Sequence, residues 1–261
     1  MKNQWFKEFW QYRELFYFLV WRNIKVRYKQ TLLGAAWAII QPFFTMIIFT
    51  LFFGKLAKMP SDGVPYPIFS YAALLPWTYF SQSLNQTGNS LVGSQNLITK
   101  VYFPRMIIPA SYALSGLVDF SLASVILFGM MLYYQIPLTW GLLSLPLLVI
   151  PLLLLVAGVG MIFSSLNVKY RDIKYVLPFV VQIWLFLTPV IYPTSIIPKR
   201  FQAVIALNPT VGLIETFRAV LLPTRNIDWQ LFGISLLITL LVLVLGMIYF
   251  RKTEKEFADI I

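Results

Sequence analysis

Few groups in this chain have chemistry to offer, and nearly all of them are charges. Asp119 is the single charge between Met106 and Val168. Glu215 stands three residues before Arg218, and Arg22, Lys25, Arg27 and Lys29 crowd around Tyr28. The chain contains no His and no Cys. Without imidazole or thiolate, the commonest bases, nucleophiles and transition-metal ligands are missing, and a lone carboxylate makes a poor catalytic set. The expectation is a protein with no catalytic residues and no metal or cofactor of its own. What remains is electrostatic work. The basic cluster suits phosphate oxygens or the headgroups of anionic membrane lipids. Asp119 is costly in hydrocarbon and needs a partner or a proton. Tyr112, Ser115 and Ser121 are near it in sequence, but another helix can equally supply the partner. It is either a structural hydrogen-bonding acid or a coupling residue of a secondary transporter. Glu215 and Arg218, at i,i+3, can pair on one helical face.

The elements that carry these groups follow from composition. The 261 residues are 59% hydrophobic and 12% charged, against about 45–50% and about 25% in soluble domains. A net charge of +11 suits an anionic membrane surface as well as nucleic acid, and the apolar content decides for the membrane and against nucleic acid. A bilayer core takes about 20 mostly apolar residues per helix. Uncharged stretches of that length predict an all-α, polytopic protein with six spans, at about 32–54, 67–92, 106–133, 141–166, 175–193 and 229–250. Six spans place both termini and the loops after spans 2 and 4 on one side, which then holds 15 of the 21 Lys and Arg. That side is the cytoplasm. The basic, aromatic N-terminus has no apolar core before a small-residue site, so it does not read as a cleavable signal peptide.

The chain divides into a cytoplasmic amphipathic and basic segment, 1–29, and a six-span domain, 30–261. Within the first, residues 4–17 predict a helix lying in the membrane interface, with Trp5, Phe6, Phe9, Trp10, Tyr12, Phe16 and Tyr17 on one arc. Between spans 5 and 6, two apolar pieces near 195–207 and 210–222 are each too short to cross. The Asn208-Pro209 step separates them, so residues 195–223 predict a re-entrant external hairpin, or one lying flat on the outer leaflet. The second half of span 2 is rich in Ser, Asn, Gln and Thr, including Gln82, Asn85, Gln86 and Asn89. That density favours a protein or water-filled interior over lipid. Mid-span rings such as Trp37, Phe44 and Trp184 can stack on sugar faces in a conduit, or simply supply packing bulk and lipid contact. The loops SQNLITKVYFPRM (94–106) and NVKYRDIKY (167–175) combine aromatics with cations. They read equally as docking segments and as plain positive-inside loops.

No G-x-x-x-x-G-K-[ST] occurs, so if ATP drives this protein a separate chain binds it. The run WRNIKVRYKQTLLGAAWAIIQP (Trp21–Pro42) resembles the approach to the first span in permeases of type-2 ABC exporters. KVYFPR (Lys100–Arg105), NVKYRDIKY, LTPVIYP (Leu187–Pro193) and NPTVGLIETFR (Asn208–Arg218) continue the likeness in the same order along the whole chain. The chain is most similar to permeases exporting lipid-linked polysaccharides such as O-antigen, capsule or teichoic acid. The resemblance implies a homodimer with two copies of a nucleotide-binding ATPase, in the cytoplasmic (inner) membrane, ATP and Mg being bound by that partner. It also implies that the 94–106 segment is a coupling helix seated in a cleft of the ATPase, with Lys100, Tyr102, Phe103, Pro104 and Arg105 as its coupling residues and Lys169, Tyr170, Arg171 and Asp172 in a smaller contact. In it the hairpin with Asn208, Pro209, Glu215 and Arg218 narrows the external exit. Arg22, Lys25, Arg27 and Lys29 are expected to meet the diphosphate of a lipid-linked glycan, and Trp37, Phe44, Gln82, Asn85, Gln86, Asn89 and Trp184 to line the channel. The alternative is an ATP-independent secondary transporter or lipid flippase that uses Asp119.

Overall fold

The computed structural model describes residues 10–29, 34–137, 140–222 and 226–257. The expected face residues Trp5, Phe6 and Phe9 lie outside them. Among the described residues the structure is helical with no strand. Helix α1 is Arg13–Tyr28. Helix α2, Ala36–Phe49, runs on as a wider π-helical turn, Thr50–Leu56. Helix α3 is Tyr66–Gly88, and the short α4, Gln95–Lys100, follows a 3-10 turn. Helices α5, Ile107–Ser115, and α6, Leu117–Tyr133, are joined at Gly116. Then come α7, Leu145–Lys169, α8, Ile173–Phe186, α9, Lys199–Ala206, α10, Pro209–Leu221, and α11, Trp229–Glu254.

Four helical stretches among the described residues are long and apolar enough to cross a membrane: Ala36–Leu56, Ile107–Tyr133, Trp140–Lys169 and Trp229–Glu254. A fifth results if Arg200–Ala206 and Pro209–Leu221, bent by 97°, are taken as one broken span. The other two expected spans differ in instructive ways. Helix α3 has 23 residues, about 34 Å of helix, but its Ser-, Gln- and Asn-rich second half is too polar to place it among the four. Helix α8 has 14 residues, about 21 Å, and stops at Phe186 rather than running to 193. Prolines at 189 and 193 remove two backbone donors there, so the ladder of helical hydrogen bonds cannot continue.

Helix α3 is the post around which the bundle is built. It packs against α2, α5, α6, α7, α8 and α10, and Ile68, Phe69, Ser70, Tyr71, Ala72 and Ala73 have no exposed surface. Its tyrosines bury their rings yet keep their hydroxyls bonded, Tyr71 donating to the Ala123 carbonyl at 2.9 Å and Tyr79 to the Ala113 carbonyl at 3.0 Å. A second, smaller core holds Leu19, Leu91, Ile98, Phe103, Ile107, Ile108, Phe250 and Phe257. It joins α1, the 94–106 loop and the C-terminal end of α11.

Helix α1 departs from the expected interface arc. Tyr12, Leu15, Phe16, Leu19 and Asn23 turn toward the bundle, while Trp10 and Tyr17 are 63% and 71% exposed. Packing lengthwise against α5 selects one narrow stripe, so the aromatic set that shares an arc on paper is divided between two surfaces.

The most extensive helix pair is α7 with α11, and glycine makes it possible. A Cβ on Gly158 would lie 2.7 Å from the Leu243 Cα, and one on Gly246 would lie 2.4 Å from the Gly158 carbonyl oxygen. The obstacles are backbone atoms, which cannot rotate away. Without a hydrophobic drive between helices in lipid, such close backbone approach supplies dispersion contact. Gly158→Leu or Gly246→Val is therefore expected to cost about 1–3 kcal/mol or more by overpacking. Gly233→Ala, where nothing lies within 4 Å of the new atom, is expected to be neutral or slightly stabilising. Thermal unfolding of the purified protein in detergent checks both outcomes.

Candidate functional site: a buried ion pair against the polar helix

Helix α1 runs parallel to α5, and the register is fixed by side chains. Asn23 Nδ2 donates to Ser111 Oγ at 3.1 Å. One turn further on, Arg27 reaches Ser115 Oγ at 3.5 Å and forms an ion pair with Asp119. Its other guanidinium nitrogen donates to Gln86 Oε1 on α3, while the Tyr28 hydroxyl donates to the second Asp119 oxygen. Asp119 thus accepts from two neighbouring residues of α1, and Arg27 ties four helices, α1, α3, α5 and α6, into one network. The two side chains retain only 19% and 14% of their exposure, so the pair is largely out of water. Burial first, and the Asp119 carboxylate second, push the Tyr28 phenol above its usual 10. The phenol therefore stays protonated, and a donor, at neutral pH.

This pairing divides the four expected headgroup cations. Arg27 is committed to Asp119. Arg22 donates to its neighbour Asn23 at 3.2 Å, and Lys25 lies over the Trp21 ring at 5.3 Å. Lys25 and Lys29 are exposed.

The polar half of α3 presents Gln82, Asn85, Gln86 and Asn89 at i, i+3, i+4 and i+7, all half-buried on a helix otherwise enclosed. Gln82 donates to Gln41 Oε1 on α2 at 3.0 Å, and Asn89 accepts from Asn167 on α7 at 3.0 Å. The space beside Gln82 and Asp119 is about 10 Å³, far too small for a sugar ring. Trp37 and Phe44 lie on the outer face of α2, 54% and 57% exposed. Trp184 packs inside instead, its ring 5.1 Å from Phe80 and its Nε1 donating to Asn208 Oδ1 at 2.8 Å. The seven expected lining residues therefore occupy two surfaces and one packed contact within a single chain.

At the other end of the bundle the chain is irregular, and Arg218 holds it together. Residues 187–191 are non-helical, and all but the exposed Leu187 are nearly sealed, with Thr188 and Val190 at 0% exposure and Ile191 at 3%. Arg218, 3% exposed, donates to the carbonyls of Pro189 at 2.8 Å and Val190 at 3.2 Å, and pairs with Glu215. Tyr66 caps the Ile191 carbonyl at 2.7 Å, and Asn208 Nδ2 caps that of Leu187 at 3.2 Å. Asn208 also starts α10, its Oδ1 accepting from Thr210 N at 3.1 Å. With Pro209 at the first helical position, this is a strong helix start, and it sets the 97° bend. A cavity of about 480 Å³ lies between α9, the start of α10 and the start of α11, with Thr194, Gln202 and Asp228 on its wall.

In the loop after α3, the residues GlnAsnLeuIleThrLys form the expected short helix, and Tyr102 is 92% exposed. Phe103 corrects the reading that both rings are free to fill a partner's groove. It is 4% exposed and packed in the chain's own second core, because the turn at Pro104 carries it inward. Lys100 is exposed, Pro104 and Arg105 half-buried, and Arg105 is bound to Glu254. Lys169, Tyr170, Arg171 and Asp172 are all exposed. No local spacing marks Gln41, Asn167 or Glu254; each finds its partner far along the chain. Among the described residues no group of three or more His, Cys, Asp or Glu is placed to hold a metal ion.

The family described as ABC-2 type transporter matches residues 14–222. An O-antigen export system permease protein, RfbA, of Myxococcus xanthus is 30% identical over 258 residues, 97% of either chain. One of the same name from Klebsiella pneumoniae is 27% identical over 241 residues, 92% of either chain. The polysialic acid transport protein KpsM of Escherichia coli is 24% identical over 246 residues, 90% of this chain and 91% of that one.

Removing one member of a buried pair leaves the other uncompensated, at a cost of about 3–5 kcal/mol when burial is complete. Partial exposure here scales that to about 2 kcal/mol. Arg27→Ala and Asp119→Ala are each expected to destabilise by that order, and the double variant by clearly less than their sum. A double-mutant cycle on unfolding in detergent measures the difference.

Proposed function

The chain belongs to the ABC-2 type transporter family, and we propose that it is the membrane-spanning half of an ATP-driven exporter of a lipid-linked cell-surface polysaccharide. The observation that carries this reading is the end-to-end likeness to O-antigen export permeases, which covers 97% of the chain at 30% identity. The chain has no phosphate-binding loop of its own, so ATP and Mg are bound and hydrolysed by a separate nucleotide-binding subunit. Two copies of the permease and two of that ATPase make the working unit.

In this reading α2, α3, α5 with α6, α7, α8 and α11 are six spans of the cytoplasmic membrane. Helix α8 reaches across with the help of the sealed irregular segment that follows it, and α9–α10 re-enter from outside. Both termini lie in the cytoplasm, where positive charge concentrates. Residues 1–29 form the interfacial segment and 30–261 the permease domain. Exposed Lys25 and Lys29, with Arg22, receive the diphosphate of the carrier lipid, while Arg27 is held by Asp119. The half-exposed stripe Gln82, Asn85, Gln86 and Asn89, with Trp37 and Phe44 beyond it on α2, borders a conduit that closes only when a second chain is opposite. The small space within one chain supports that requirement. Asn208, Pro209, Glu215 and Arg218 build the external gate, and Lys100–Arg105 with Lys169–Asp172 face the ATPase. Asp119, the carrier that a gradient-driven transporter would need, is taken up by Arg27 and Tyr28.

Purification of the tagged chain from native membranes is expected to bring down a soluble ATPase in equal amount. Reconstituted together, the two should move lipid-linked glycan only when ATP is hydrolysed. Export that continues without ATP, or after the membrane gradient alone is restored, would overturn the reading. Tyr102→Ala removes an exposed ring and should leave the Tm unchanged. It is expected to reduce ATP-driven export at least ten-fold.

A further inference from the structure

Arg105 and Glu254 are 149 residues apart, and each binds the main chain of the other. The Arg105 N–H donates to Glu254 Oε1 at 2.8 Å, and the Arg105 guanidinium donates to the Glu254 carbonyl. Glu254 is the last residue of α11. The C-terminal turn of a helix carries unpaired carbonyls and partial negative charge, so a guanidinium there caps the helix as well as tethering it. The contact does not stand alone. Phe103, two residues before Arg105, is buried in the same core as Phe250 and Phe257 of the C-terminal end, at 4%, 0% and 1% exposure. The rings of Phe250 and Phe257 meet edge to face at 5.3 Å. Alternate residues of the loop thus have opposite fates, with Phe103 and Arg105 anchored inward and Tyr102 92% exposed.

We propose that Glu254 is a positioning residue for the coupling loop. It fixes Arg105, and with it the Phe103 anchor, so that Lys100 and Tyr102 are presented outward in one orientation. It also makes α11 the first span to receive a push delivered to the loop. Because α11 meets α7 through backbone at Gly158 and Gly246, the push passes to α7 without slack. The proposal rests on the ATPase-coupling role assigned to this loop above, and goes beyond it by naming the residue and the spans that carry the force.

The test uses the reconstituted permease–ATPase complex and reads glycan exported per ATP hydrolysed. Glu254→Ala removes the acceptor for the Arg105 N–H and is expected to lower that ratio at least five-fold, with the ATPase still bound and hydrolysing. Glu254→Gln keeps an acceptor and should stay within two-fold of the unmodified complex. A Glu254→Ala complex with an unchanged ratio, or a Glu254→Gln complex as impaired as the alanine variant, overturns the proposal. Amide hydrogen exchange over residues 100–106 gives a second reading that a general loss of stability does not mimic. Exchange should rise at least ten-fold there in Glu254→Ala and stay level in α3, and no local rise counts against positioning. If the unmodified chain binds no ATPase, the proposed function fails. The exchange measurement on the chain alone then still decides whether Glu254 positions the loop.

Discussion

Backbone and charge inside an apolar bundle have no water to fall back on, and most of the unusual side chains here answer that one constraint. Where α8 breaks off at Phe186, the carbonyls of Leu187, Pro189, Val190 and Ile191 would be left bare. Arg218 and Asn208, from α10 and its cap, and Tyr66, from α3, cover them. Arg218 is in turn neutralised by Glu215, and its guanidinium lies 3.9 Å from the centre of the Phe69 ring, so a charge at 3% exposure is surrounded by compensating groups. At the other end Asp119 poses the same problem and is answered by Arg27 and Tyr28. The fold can therefore be described as two polar knots with one post, α3, supplying a side chain to each.

That arrangement separates what can yield from what cannot. The α7–α11 crossing has backbone against backbone and no adjustable side chain between. The Arg27–Asp119 knot, by contrast, is made of long side chains with partial access to solvent, and its partners sit on three helices. A rearrangement of the bundle is therefore cheaper at the second than at the first.

Much of this architecture is legible in the sequence because it is local. Uncharged stretches mark α2 with its π-helical turn, α5 with α6, α7 and α11 to within a few residues, and Asn208-Pro209 marks the bend because both residues act on their own backbone. The pairing of Glu215 with Arg218 follows from a spacing of three. The rest depends on what comes near in space. Nothing around Asp119 names Arg27, 92 positions away, and the same basic cluster reads equally well as a headgroup site. Phe103 and Tyr102 are indistinguishable by type and position, yet one is buried and the other exposed. Helix α1 continues to Tyr28 and turns a different stripe inward than its aromatic pattern suggests, because α5 supplies the surface it packs on.

The polar half of α3 has a consequence for how the protein comes into being. This helix is synthesised directly after α2, and in apolar surroundings its amides and hydroxyls would lack partners. The helices that shelter it most, α6 and α7, emerge roughly 50 and 80 residues later by the order of elements. At the rates of translation, several residues to about 20 per second, α3 waits some seconds with α2 before α5 and α6 exist, and longer before α7 and α10. The bundle is thus completed from the inside outward in time: the element most buried at the end is made before most of the helices that bury it.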